Sequence, residues 1–125
     1  MDEIIRILDE NLIYYRHEKL CDEINIYVCN KESSGICPYC GTKSEKTHST
    51  YNKKYLSLNI GKVKVRVILI NRKLFCFNER CNHLTFAQNV DKKHDFIIRT
   101  EKFAEEFKKL CRNNILLQDC CSYRT

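Results

Sequence analysis

Two cysteine couplets carry the chemistry that is legible in this chain: Cys37-Pro38-Tyr39-Cys40-Gly41 and Cys76-Phe77-Asn78-Glu79-Arg80-Cys81. Two cysteines two residues apart can bite one metal ion from a single tight turn, leaving two positions of a tetrahedral shell for a second, distant turn. Gly41 supplies a residue at ease at positive φ just after the first couplet, and Pro38 fixes φ inside it. The second couplet has four intervening residues, a wider spacing that one zinc site still accepts. The expected ligands are therefore Cys37, Cys40, Cys76 and Cys81, and the expected ion is zinc. Iron binds the same four thiolates, but nothing else in the chain points to redox chemistry.

The other five cysteines, Cys21, Cys29, Cys111, Cys120 and Cys121, have no partner at ligand spacing and are read as core or surface thiols. His48 and His83 lie near the couplets, yet the ligand set is complete without them; His17 and His94 sit among charges. An odd total of nine cysteines, behind an acidic start Met1-Asp2-Glu3 with no apolar leader, argues against a disulfide framework and for a reducing cytoplasm.

Charge is distributed unevenly around these couplets. Residues 1–36 hold four basic and eight acidic side chains, whereas residues 43–80 hold ten basic side chains against Glu45 and Glu79. The overall +6 is thus concentrated between the couplets, as expected of a footprint for phosphate. Lys43, Lys46, Lys53, Lys54, Lys62, Lys64, Arg66, Arg72 and Lys73 are the candidate DNA contacts, with Tyr39, Tyr51 and Tyr55 interleaved among them. The longest apolar run, Val67 to Ile70, is far short of a bilayer span, so no membrane partner is expected.

The elements that must position these residues follow from periodicity. Ile4, Ile5, Leu8 and Leu12 recur at helical spacing behind Asp2, predicting a short helix from Asp2 to about Leu12. Ile24 to Val28 reads as a strand, and 30–35 as a polar turn into the first couplet. Lys46 to Tyr51 and Tyr55 to Ile60 read as two strands joined by Asn52-Lys53-Lys54. In the strictly alternating run from Lys62, Val63, Val65, Val67 and Leu69 line one face while Lys62, Lys64 and Arg66 line the other. Beyond a polar linker, Phe96, Ile97, Phe103, Ala104, Phe107, Leu110 and Cys111 form an apolar stripe on a helix with Asp95 as its candidate cap. So greasy a stripe must dock on the ribbon, on another chain or on a further domain, and self-association into a homo-oligomer is the expectation. The predicted fold class is α+β: a small zinc ribbon of antiparallel strands, a short N-terminal helix and a C-terminal helical extension. The expected domains are 1–90 for the ribbon and 91–125 for the extension.

The ordered series of Cys37-Pro38-Tyr39-Cys40-Gly41, His48-Ser49 with Tyr51, Gly61, Arg72, Phe75-Cys76, Asn78, Cys81 and Thr85-Phe86-Ala87 resembles the N-terminal zinc-ribbon domain of ISL-three family insertion-sequence transposases. The resemblance covers roughly residues 1–90. It implies a zinc-binding module that helps a transposase recognise the inverted-repeat ends of its element in double-stranded DNA, with Cys37, Cys40, Cys76 and Cys81 as ligands. It also implies that the stretch from Phe96 to Leu117 opens a helix-turn-helix-like region, with a catalytic domain beyond it.

No residues of that catalytic domain are expected here. Phosphoryl transfer needs clustered carboxylates holding divalent ions, and Asp91, Asp95 and Asp119 are too few and too scattered. The chain reads as a non-enzymatic ribbon truncated before catalysis. The competing reading is a zinc-ribbon adaptor that binds protein and not DNA, using the Ile stripe of its acidic N-terminal third and the Phe-lined helix.

Overall fold

Val63–Phe75 is the spine of the protein, a strand flanked on both sides. In chain order the elements of this computed structural model are α1 (Asp2–Leu8), β1 (Leu12–Lys19), β2 (Glu23–Asn30), β3 (Gly35–Ile36), β4 (Lys43–Ser44), β5 (Thr47–Ile60), β6 (Val63–Phe75), β7 (Thr85–Ala87) and α2 (Phe96–Asn113). It describes residues 1–88 and 94–113, the last three of these by backbone alone. The main sheet has the order β1-β2-β6-β5, with β7 pairing the end of β6 beyond β2. A separate two-stranded piece, β3-β4, carries the first cysteine couplet between its strands.

The class is α+β as expected, but the sheet is not antiparallel throughout. β2 and β6 run parallel, from Glu23 opposite Lys64 to Cys29 opposite Ile70. Parallel neighbours need a long crossover, which β3, β4 and β5 supply between them. β5 and β6 form a long antiparallel hairpin turning at Gly61, whose φ of +63° suits a residue without Cβ. β5 is one continuous strand where two were expected. Asn52-Lys53-Lys54 has one turn former, Asn52, and no Gly or Pro, and it lies opposite the unbroken run of β6, so pairing continues through it and a bulge follows between Lys54 and Leu56. That bulge turns Tyr55 into the core, with its ring edge-on to Phe96 at 5.7 Å between centroids.

The first helix ends at Leu8, earlier than expected, because Asp9 is extended and its Oδ1 accepts from the Asn11 backbone N–H at 2.8 Å. Asp2 does not cap it; its carboxylate accepts the Tyr14 backbone N–H at 2.8 Å and ties the helix to β1. β1 itself was not anticipated. Leu12-Ile-Tyr-Tyr-Arg-His-Glu-Lys19 mixes polar and apolar positions without clean alternation, and a bulge between Tyr14 and Arg16 shows why.

One core lies where Ile24, Ile26 and Val28 of β2 and Val65, Val67 and Leu69 of β6 meet Ile5 and Leu8 of α1 and Phe103 and Phe107 of α2. Both phenylalanines are fully buried, so α2 docks Phe103 and Phe107 of its apolar stripe on its own chain. Ile97 and Ile98, in the first turn, remain exposed. The boundary expected near residue 90 and the continuation to Leu117 lie outside the described residues, as do Asp91, Asp119, Cys120 and Cys121. Among the described residues, no helix is long and apolar enough to cross a membrane.

Candidate metal centre

Along β6, Val65, Val67 and Leu69 point into the helix-covered core, so Leu74, at opposite parity, points to the other face. There it joins Phe86 of β7, Cys37 and Cys76 in a second small cluster, against which Cys40 and Cys81 pack. The far end of the spine strand thus carries one cysteine couplet in its own continuation and receives the other from β3-β4. Gly35 is required at this junction, because a Cβ there would stand 2.8 Å from Leu74 Cδ1.

Each couplet is shaped by backbone hydrogen bonds. The Gly41 N–H donates to Cys37 O at 2.8 Å and the Cys37 N–H to Thr42 O at 2.9 Å; Gly41 has φ +78°. In the second couplet the Cys81 N–H donates to Asn78 O at 3.0 Å, and Asn78 Oδ1 accepts the Arg80 N–H at 3.1 Å. This side-chain turn is what lets four intervening residues close as tightly as two.

The four sulfurs converge. All ligand atoms of Cys37, Cys40, Cys76 and Cys81 lie within 4.8 Å of one another. Cys37 Sγ is 3.9 Å from Cys81 Sγ, and Cys40 Sγ is 3.6 Å from Cys76 Sγ. Zinc–sulfur bonds of about 2.3 Å in a tetrahedron separate the sulfurs by about 3.8 Å, so these spacings fit a four-thiolate zinc shell. The electrostatics agree. The Thr42 hydroxyl, 3.3 Å from Cys40 Sγ, and the Thr42 backbone N–H, with Asn78, favour the thiolate and lower Cys40 to about 6. Cys76 also receives a favourable backbone hydrogen bond from Asn78, yet burial and the thiols of Cys40, Cys37 and Cys81 push it up to about 12. Adjacent thiols resist ionising together unless a cation supplies the compensating charge, which zinc does. With four sulfur ligands the shell is closed.

His48 and His83 are not in this cluster. His83 stacks on Tyr39, with ring centroids 3.5 Å apart and planes 6° from parallel, and His48 meets the edge of Phe75 at 5.0 Å. The Tyr39–His83 stack links the two couplets and had no sequence signal, since neither residue type nor spacing announces a ring pair between distant loops.

The nine basic candidates divide into two groups. Lys43, Lys46, Lys53, Lys54, Lys62, Lys64 and Lys73 are exposed on or beside β4, β5 and β6, Lys43 with Glu45 Oε1 at 3.9 Å. Arg66 is instead engaged by Glu23, through Nη1 to Oε2 at 2.8 Å and Nη2 to Oε1 at 3.0 Å. The Arg66 hydrogen bond holds the Glu23 carboxyl below its usual range. Arg72 reaches the carbonyls of Asn30 at 3.0 Å and Glu32 at 2.7 Å. It shares that turn with Gln88, whose Nε2 donates to Glu32 O and Ser34 O, each at 2.8 Å. Arg72 and buried Gln88 therefore pin the polar turn that delivers the chain to Cys37, a role that residue type alone does not betray.

Comparison with known proteins bears on the same segment. Neither a curated protein nor a solved structure matches the chain. The family model described as the zinc-finger of transposase IS204/IS1001/IS1096/IS1165 matches residues 33–81. That span opens in the turn held by Arg72 and Gln88, takes in both couplets and the whole β5-β6 hairpin, and closes on the last cysteine of the cluster, so residues 33–81 of this chain are similar to the zinc-finger segment of IS204/IS1001/IS1096/IS1165-type transposases.

Proposed function

We propose that the chain is a DNA-binding module of a bacterial insertion-sequence transposase, recognising the inverted-repeat ends of its element, with zinc as a structural ion. The observation that carries this reading is the set of seven exposed lysines on and beside the zinc-capped hairpin: Lys43, Lys46, Lys53, Lys54, Lys62, Lys64 and Lys73. Phosphate oxygens are the ligands such a concentration of cations suits, since lysine offers a hydrated point charge and displaces condensed counterions. Arg66 and Arg72 support the scaffold and leave phosphate binding to these lysines. The ribbon itself is non-catalytic, because a closed sulfur shell offers zinc no position for water or substrate. Reduced thiolates suit a cytoplasmic protein.

The test is duplex binding measured across salt concentrations with the zinc-loaded chain. Replacing Lys53, Lys54, Lys62 and Lys64 with Gln should weaken binding and flatten its salt dependence while zinc content stays unchanged. Unaltered affinity in that variant would contradict the reading.

A further inference from the structure

The zinc unit leaves an unusual amount of ring and apolar surface in solvent. Ile36 is 62 % exposed, Tyr39 60 %, Phe77 65 % and Leu84 81 %, all within or beside the two couplets. Single exposed apolar residues need no explanation, but several on one small unit mark a contact surface. Their setting is specific. Phe77 is set immediately after Cys76 and its ring stacks on Phe75 at 5.8 Å between centroids, so one ring face is backed and the other left to solvent. It lines an open groove of about 720 Å³ whose other walls are Lys43, Ser44, Glu45, Lys46 and Thr47. Tyr39 immediately precedes Cys40 and is backed in the same way by His83. Rings held by neighbours whose sulfurs ligate one ion are rigid before any partner arrives.

We infer that the zinc unit is a stacking site for unpaired nucleobases in DNA, with Phe77 and the Tyr39–His83 pair as ring platforms and Lys43 and Lys46 holding the adjoining phosphates. The inference rests on the DNA-binding reading above and adds a second ligand form to it. Charge selects the occupant: Lys43 lies 3.9 Å from Glu45 Oε1, an exposed pair that a phosphate can displace, and with Lys46 the groove keeps a net positive charge beside an aromatic face, which complements a nucleotide's flat π-face and anion together. A purely apolar protein partner would leave Lys46 unmatched. Paired bases do not expose their faces, so the rings discriminate frayed, bulged or single-stranded segments from intact duplex.

The experiment uses the zinc-loaded full chain and two probes of the same sequence, a fully paired duplex and one carrying a single unpaired fluorescent aminopurine base. The chain should bind the bulged probe more tightly and quench its fluorescence. Phe77→Ala should relieve the quenching and weaken bulged-probe binding roughly 5- to 150-fold, with paired-duplex affinity unchanged. Phe77→Leu should behave like Phe77→Ala, and Phe77→Tyr should restore quenching, which separates stacking from mere apolar packing. Paired-duplex binding without quenching, or equal losses on both probes, would overturn the stacking site alone and leave the rings as a protein contact. Absence of binding to either probe would overturn both this inference and the DNA-binding reading.

Discussion

Cys37, Cys40, Cys76 and Cys81 were legible as ligands because ligation is written in residue type and spacing, and their sulfurs do converge. Cys76→Ser or Cys40→Ser should abolish zinc binding by metal analysis, since structural zinc contributes on the order of 10 kcal/mol through its complete shell. The exposed Cys21 should be replaceable by Ser with full zinc retention. The two glycines of the first couplet's surroundings separate two kinds of cost. Gly35→Ala sets a methyl against fully buried Leu74 and should destabilise by about 1–3 kcal/mol. Gly41→Ala meets open space and suffers only its φ of +78°, about 1–2 kcal/mol. Chelator competition on the two variants measures both. Arg66 and Arg72 were less legible, because whether a guanidinium meets phosphate or an internal acceptor depends on strand order, and the strand beside β6 is β2.

Among elements, the apolar stripe of α2 was readable from its period, but its occupant was not: a helix face shows that it must be covered, not by what. Phe103 and Phe107 fill the chain's own core, so Phe103→Ala should cost about 3–5 kcal/mol in denaturant unfolding. Phe103→Glu should unfold the helix–sheet core, seen as lost helical circular dichroism, whereas a helix interface between copies would give a folded monomer from a parent dimer. The β2–β6 parallel pairing was hidden for a related reason, being a contact across some forty residues with no local signal. The Glu23–Arg66 bridge across that pair has a pH signature. Arg66 holds the Glu23 carboxyl below its unfolded value, so the bridge's contribution is complete above the ordinary carboxylate range and is lost as pH falls through the lowered folded value. Acid unfolding of Glu23→Gln should lack that component when compared with the parent.

At the scale of the whole molecule, two cores of different origin share the spine strand β6. The larger is apolar and formed by α1, α2 and the sheet; the smaller is the zinc cluster with Leu74 and Phe86. Chelation should therefore melt the couplets and β3-β4 while helical circular dichroism largely persists, and the hairpin lysines should lose their fixed arrangement with the zinc unit. The metal's job is to hold one end of the lysine-lined hairpin, which makes duplex DNA binding the central claim. Its most direct measurement is the affinity of the zinc-loaded chain for inverted-repeat duplex as a function of salt. With about four to six phosphates contacted, log affinity should fall against log salt with a slope of roughly −4 to −5. A flat salt response, or affinity that survives removal of the hairpin lysines, would contradict it.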